Sequence, residues 1–172
     1  SQKILGMNEY RSGMDTLFNI VFATQRAGYE ANDFYTADDY NTFWAAFDAA
    51  GELFVQEIVD YCGAYGATTV AEAGALWGYG DLAADATAAD FFNLMYASYE
   101  GDIAKMNSVE SAGTSFFDFM ENYAAYTVGV STGAGAANIE GIKKTGDYSL
   151  EVTVESVDPT FIYQLTLAVA PL

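Results

Sequence analysis

Apolar residues recur at three- and four-residue steps between Thr36 and Cys62. Tyr40, Phe43, Trp44, Phe47, Phe54, Ile58 and Cys62 share one face, with Asn41, Asp48, Glu52 and Gln56 opposite. This period predicts one long amphipathic helix, and Thr36 with Asp39 three residues later predicts a capping box at its start. Upstream, Met14, Leu17, Phe18, Val21 and Phe22 form a similar stripe that predicts a helix from about Ser12 to Gly28. Downstream, Thr69 with Glu72 opens a short helix ended by the glycines at 78 and 80. Thr87 with Asp90 opens another, with Phe91, Met95 and Tyr99 on its apolar face. A last helix is predicted from Thr114 or Ser115, burying Phe116, Phe117, Met120, Tyr123 and Ala124. About five helices with this many aromatic side chains suffice to fill a bundle core.

The period then changes. "GVSTGAGAAN", residues 129–138, is too rich in small residues to hold a helix and reads as a loop. Beyond it Tyr148, Leu150, Val152 and Val154 alternate with Ser149, Glu151, Thr153 and Glu155, the period-two pattern of a strand with one buried face. Gly146 and Asp147 supply a turn, and Ile139 and Ile142 a shorter strand before it. Asp158 and Pro159 read as the N-cap and first position of a helix over "TFIYQLTL". The fold class predicted is α+β: a predominantly helical bundle over residues 1–128, the loop 129–138, and a C-terminal antiparallel hairpin with a helix start over 139–172. A two-stranded hairpin is marginal in water without a third strand or a covering layer. No other strand-like stretch is evident, so its partners are expected outside the chain. The apolar ending "FIYQLTLAVAPL" reads the same way, as the edge of something larger.

Charge narrows the range of partners. Twenty-four acidic residues stand against six basic ones and no histidine, a formal charge of −18 over 172 residues. A chain of this sign repels phosphate backbones, which excludes nucleic acid as a partner, and it disfavours an anionic membrane surface. At 52% hydrophobic and 16% aromatic residues the chain has enough apolar surface to pack. Cys62 is the only cysteine, so neither an internal disulfide nor a paired-thiol zinc site is available. "SQKILGMNEY" lacks the apolar stretch of a signal peptide, and no run of eighteen apolar residues occurs.

Little of this composition points to catalysis. Without histidine there is no histidine-dependent triad. Cys62 falls on an apolar stripe, the place of a small buried hydrophobe rather than a nucleophile. "GAGAAN" and "WGYGD" have glycines but neither the lysine nor the preceding strand of a phosphate loop. Oxygen ligands alone make calcium the leading metal candidate, yet no EF-hand-type loop is present. A carboxylate pair for glycoside hydrolysis needs two acids facing one cleft, and most acids here fall on predicted solvent faces. The sequence singles out no catalytic residue and no metal site, implies no cofactor, and assigns no ligand-binding residue. That pattern fits a binding protein better than an enzyme.

The stretch "NIEGIKKTGDYSLEVTVESVDPTFIYQLTLAVAPL" resembles a segment of the peptide- and nickel-binding class of bacterial extracytoplasmic solute-binding proteins. The residues that carry the likeness are Ile139, Gly141, Ile142, Asp147, Tyr148, Val152, Val154, Asp158, Pro159 and Pro171. They follow the order of strand, turn, alternating strand, Asp-Pro helix start and closing proline, over about 35 residues. The stretches "EYRSGMDTLFNIV", "FWAAFDAAG", "IVDYC" and "WGY" look like a helical insertion placed ahead of that hairpin. The resemblance implies a two-lobed receptor that closes on an oligopeptide or similar solute and presents it to the membrane subunits of an ABC importer. It further implies an extracytoplasmic location, with a lipoprotein anchor carried elsewhere in the full-length protein. The chain would then be an internal portion of one lobe, and its open strand edges would favour self-association. The alternative is a free-standing helical module at the cell surface that binds another protein, the hairpin edge adding strands to it.

Overall fold

In the computed structural model, which describes residues 4–156 and Pro159, the chain is mixed helix and strand. It is about 47% helical, with two small antiparallel sheets. It divides into two compact units: Phe18–Val128, and a second built from Ser1–Leu17 together with Gly129–Leu172.

The unit spanning residues 18–128 is the helical one. Its axis is α3, Ala37–Gly63, and the capping box at its start is formed as the sequence predicts. The Asp39 N–H donates to Thr36 Oγ1 at 3.2 Å while the Thr36 N–H donates to Asp39 Oδ2 at 2.9 Å. The predicted stripe is buried, from Tyr40 to Cys62. Helix α4, Val70–Trp77, starts at Thr69 and stops at Gly78, whose positive φ of 104° suits a residue without Cβ. Helix α5, Ala88–Ser98, has the Thr87–Asp90 box and lies against α3, with the Phe92 ring seated over Gly51. Phe43, Phe47, Phe54, Phe91, Phe92 and Phe116 are all fully buried, and rings of this core meet edge-on or offset at 5–6 Å. Such geometry adds to the area term of each aromatic pair.

Three expectations are corrected in the helical regions. The stripe from Met14 to Phe22 is not one helix. Met14–Thr16 is strand β1, and only Leu17–Phe22 is helical, as α2. The pairing of β1 with a distant segment outweighs its local helical pattern. The last predicted helix is two short ones, α7 at Phe116–Phe119 and α8 at Tyr123–Tyr126, because Asn122 takes the left-handed conformation at φ 58° between them. Ala124 is accordingly exposed. A further helix with no counterpart in the predicted set, α6, occupies Ile103–Glu110 and is capped by Asp102.

The other unit joins the two ends of the chain. After a short helix α1, Met7–Arg11, strand β1 pairs antiparallel with β2, Gly129–Ser131, within the stretch expected to be loop. The register sets Met14 opposite Ser131 and Thr16 opposite Gly129. The chain therefore leaves this unit at one strand and returns at its neighbour. Close by, Gly13 and Gly135 cross backbone to backbone: a Cβ on Gly13 would lie 2.4 Å from the Gly135 nitrogen. The predicted hairpin is present as β3, Ile142–Gly146, and β4, Ser149–Val152, with a shift in register between Lys144 and Gly146. Contrary to expectation, its partners do not all lie outside the chain. Leu5 enters the open end, donating to the Thr153 carbonyl at 3.1 Å and accepting from the Gly141 N–H at 2.8 Å, and Ile4 bridges Val154. Along β3 and β4 themselves, each strand has only the other as a partner among the described residues. The predicted helix start at Asp158 and the apolar ending lie outside the described residues.

Candidate functional site

Most polar side chains of the helical unit lie on solvent faces, and two places gather them. The first follows α2. Helix α2 ends in a turn in which Gln25 and Arg26 both take positive φ, 49° and 64°. For side chains with a Cβ this costs about 1–2 kcal/mol each. The turn lays the Arg26 guanidinium over the Trp44 ring, 4.6 Å from its centroid, and 5.7 Å from that of Phe47. There it forms a two-pronged pair with Asp48, with Nη1 3.0 Å from Oδ2 and Nη2 bonded to Oδ1. Hydrogen bonding to Asp48 raises the Arg26 pKa, burial opposing it. Beneath the guanidinium, the Trp44 indole N–H is buried without an acceptor among the described residues.

Beyond this pair a cleft of about 340 Å³ opens between α3 and α5. Arg26, Asp48 and Glu52 line one side and Ala89, Phe92 and Asn93 the other. Asp48 and Glu52, one helical turn apart, share a face of α3. A larger hollow of about 490 Å³ lies under the segment 23–35, lined by Ile20, Ala23, Ala27, Phe34 and Tyr35. Its amide, Asn32, is already committed: its Oδ1 accepts from the Phe34 and Tyr35 N–H groups and its Nδ2 donates to the Glu30 carbonyl. That leaves Glu30 as its one charged group, too little to orient a polar ligand.

The second gathering surrounds Glu110 at the end of α6, 9% exposed and the one buried charged residue among those described. Its Oε1 accepts from the Tyr79 hydroxyl at 2.8 Å and the Tyr99 hydroxyl at 2.5 Å, and its Oε2 from the Trp77 indole N–H at 2.8 Å. The hydrogen bond to Glu110 and then burial hold the Tyr99 phenol far above its ordinary pKa, and burial raises Tyr79 too. Every donor faces the same carboxylate, so the cluster ties α4, α5 and α6 together and leaves no group poised to attack a substrate. Sequence reasoning missed it, although a signal exists: Ile103, Met106 and Glu110 are spaced at zero, three and seven, which puts an acid on the buried stripe of α6.

Other residues weighed from sequence fall where a structural role places them. Cys62 is buried on α3, and burial raises its thiol pKa, opposite to what a nucleophile needs. Among the described residues no three acids, histidines or cysteines gather closely enough to hold a metal ion. No helix among them is long and apolar enough to cross a membrane. In the other unit, of the four alternating apolar side chains predicted to be buried on the hairpin, Tyr148 and Leu150 face solvent at 102% and 63% exposed, while Val152 and Val154 are half-buried. Searches against protein-family models, curated proteins and solved structures each return no match.

Proposed function

We propose that this chain is a portion of an extracytoplasmic solute-binding receptor, which captures oligopeptides or similar solutes and delivers them to an ABC importer. The observation that carries this reading is the hairpin. It has the strand, Gly-Asp-Tyr turn and alternating strand of the family segment, yet β3 and β4 pair only with each other among the described residues, and Tyr148 and Leu150 face solvent. A sheet element with open edges and an exposed apolar side fits a place inside a larger sheet. The helical unit is reached and left through neighbouring strands, the arrangement expected of an insertion into a lobe. The role is binding rather than catalysis, and the full-length protein would be anchored outside the cytoplasm as a lipoprotein.

The test uses the product of the complete native reading frame. Thermal denaturation with and without a mixture of short peptides should show a higher Tm with peptide, because a ligand at about 100 times its Kd stabilises by about 2.7 kcal/mol. Metabolic labelling with a fatty-acid analogue should place lipid on that product. The absence of both a peptide-dependent shift and lipid incorporation would overturn the proposal.

A second reading, a helical module that binds another protein at the cell surface, is favoured by one feature. Tyr61 and Tyr65 are exposed, with ring centroids 5.3 Å apart, and Tyr61 meets the Trp77 ring edge-on at 5.8 Å. It predicts a defined complex with a second protein chain and no response to peptides.

A further inference from the structure

Glu52 is set apart from the other acids by its position. Six residues from α3, α5 and the turn after α2 line one cleft of about 340 Å³, a volume within the range of small-ligand sites. One side carries the Arg26–Asp48 pair, and that pair is internally neutral. Each Asp48 oxygen accepts from one guanidinium nitrogen, and the guanidinium is further fixed by the Trp44 ring. Glu52 follows one turn along α3, exposed, and has no ion-pair partner among the described residues. Asn93 faces it from α5 with an amide that has no hydrogen-bond partner among those residues, and Ala89 supplies apolar wall, with Phe92 buried at the floor. The cleft thus has a net charge of −1. It sits in a unit where Arg26 and Lys105 face seventeen acidic residues, a formal charge of −15.

We propose that this cleft binds a primary ammonium group on an aliphatic stem, of the kind a lysine side chain carries, with Glu52 as the charged acceptor. An anionic ligand meets the wrong field, because the charge of Arg26 is already matched by Asp48 and the surrounding unit is negative. A bare divalent ion lacks ligands, since no three acids converge here. An ammonium group has three N–H donors. The Glu52 carboxylate and the Asn93 amide oxygen offer acceptors on the α3 and α5 sides, and the stem lies along Ala89. The site stands apart from the receptor reading, in which a solute is held between two lobes.

The test is a titration of the isotopically labelled 172-residue chain with Nα-acetyl-lysinamide, followed by backbone and side-chain NMR shifts, with Nα-acetyl-norleucinamide as the uncharged isostere. Saturable shifts are expected at Arg26 Nε, Glu52, Ala89 and the Asn93 amide, with a Kd on the order of millimolar. Glu52→Gln should weaken binding about fivefold, the scale of one exposed charge pair. Asp85→Asn, at an exposed acid outside the cleft, should leave it unchanged. Three results would each overturn the proposal: equal shifts with norleucinamide, shifts spread over the acidic surface that Glu52→Gln leaves intact, or no shift at about 10 mM probe. Asn93→Ala gives an independent check, because a general counter-ion effect would not respond to loss of a neutral amide.

Discussion

Gly51→Ala sets two physical effects against each other at the centre of the helical unit. Gly51 lies inside α3, where alanine is the better helix former by about 1 kcal/mol. The new methyl group, however, would stand 2.4–2.6 Å from three atoms of the Phe92 ring. That ring has no room to retreat. It is stacked on Tyr96 and on Phe116, each at 5.8 Å and within 8° of parallel, and meets the edge of Phe47 at 5.8 Å. Relief requires α5 to move off α3 by roughly an ångström, which loosens contacts all along that interface. Overpacking of this kind costs up to about 3 kcal/mol, so the expected net loss is about 2 kcal/mol. Urea denaturation followed by far-UV ellipticity reads this as a lower midpoint at unchanged slope. Gly63→Ala is the control: at the end of the same helix, a Cβ there meets nothing within 4 Å. It should be neutral or raise stability by up to about 1 kcal/mol. A Gly51→Ala protein as stable as the parent would refute the packing argument.

Removing the Glu110 carboxylate with Glu110→Ala strands two phenols and an indole N–H. Denaturation should show a loss of about 3 kcal/mol, and Trp77 emission should change; an unchanged midpoint would mean that water replaces the acceptor freely. Gln25→Gly should stabilise by about 1 kcal/mol, because glycine adopts the positive φ without strain while only a 3.4 Å contact from the Tyr96 hydroxyl is lost. A loss of stability there would show that the contact outweighs the strain. At low pH, the caps Asp39, Asp90 and Glu72 have pKa values lowered by their threonine partners. Their contribution is present above the ordinary carboxyl values of 3.8 and 4.5 and fades as pH falls through the folded values, so helicity should decline on the acid side. On the alkaline side Tyr79, Tyr96, Tyr99 and Tyr126 are raised above 10.0, so stability is complete below that pH and lost above it. Tyrosinate absorbance should then appear together with unfolding, and full ionisation of a still folded chain would contradict the assignment.

What was legible in the sequence is what is local. The Thr36 and Thr87 capping boxes, the stripe of α3 and the stop of α4 at Gly78 each depend on residues within a few positions of one another, and each formed where the pattern put it. The cleft was not legible, since Glu52 and Asn93 are joined only by the packing of α5 on α3, and each alone is an ordinary solvent-facing residue. Strand β1 was hidden for a stronger reason. Its partner β2 lies more than a hundred residues away, and the Met14–Thr16 segment taken alone continues the helical stripe of α2.

That distance also orders the assembly of the chain. Closing so long a loop from an unfolded chain costs several kcal/mol of entropy, and a ladder of three residue pairs cannot offset it. The helical unit is therefore expected to bring its own two ends together first, through the Phe18 ring, which packs on Phe43 and on Tyr123 at 5.3 and 5.6 Å. Once those contacts exist, β1 and β2 need close only the few residues outside them. A Phe18→Ala chain should therefore lose the β1–β2 pairing along with stability in the helical unit, although Phe18 belongs to neither strand. Amide exchange at Thr132, whose N–H donates to the Gly13 carbonyl at 2.8 Å, would report it. Protection there surviving Phe18→Ala would mean that the strands find each other without the helical unit, and that the order argued here is reversed.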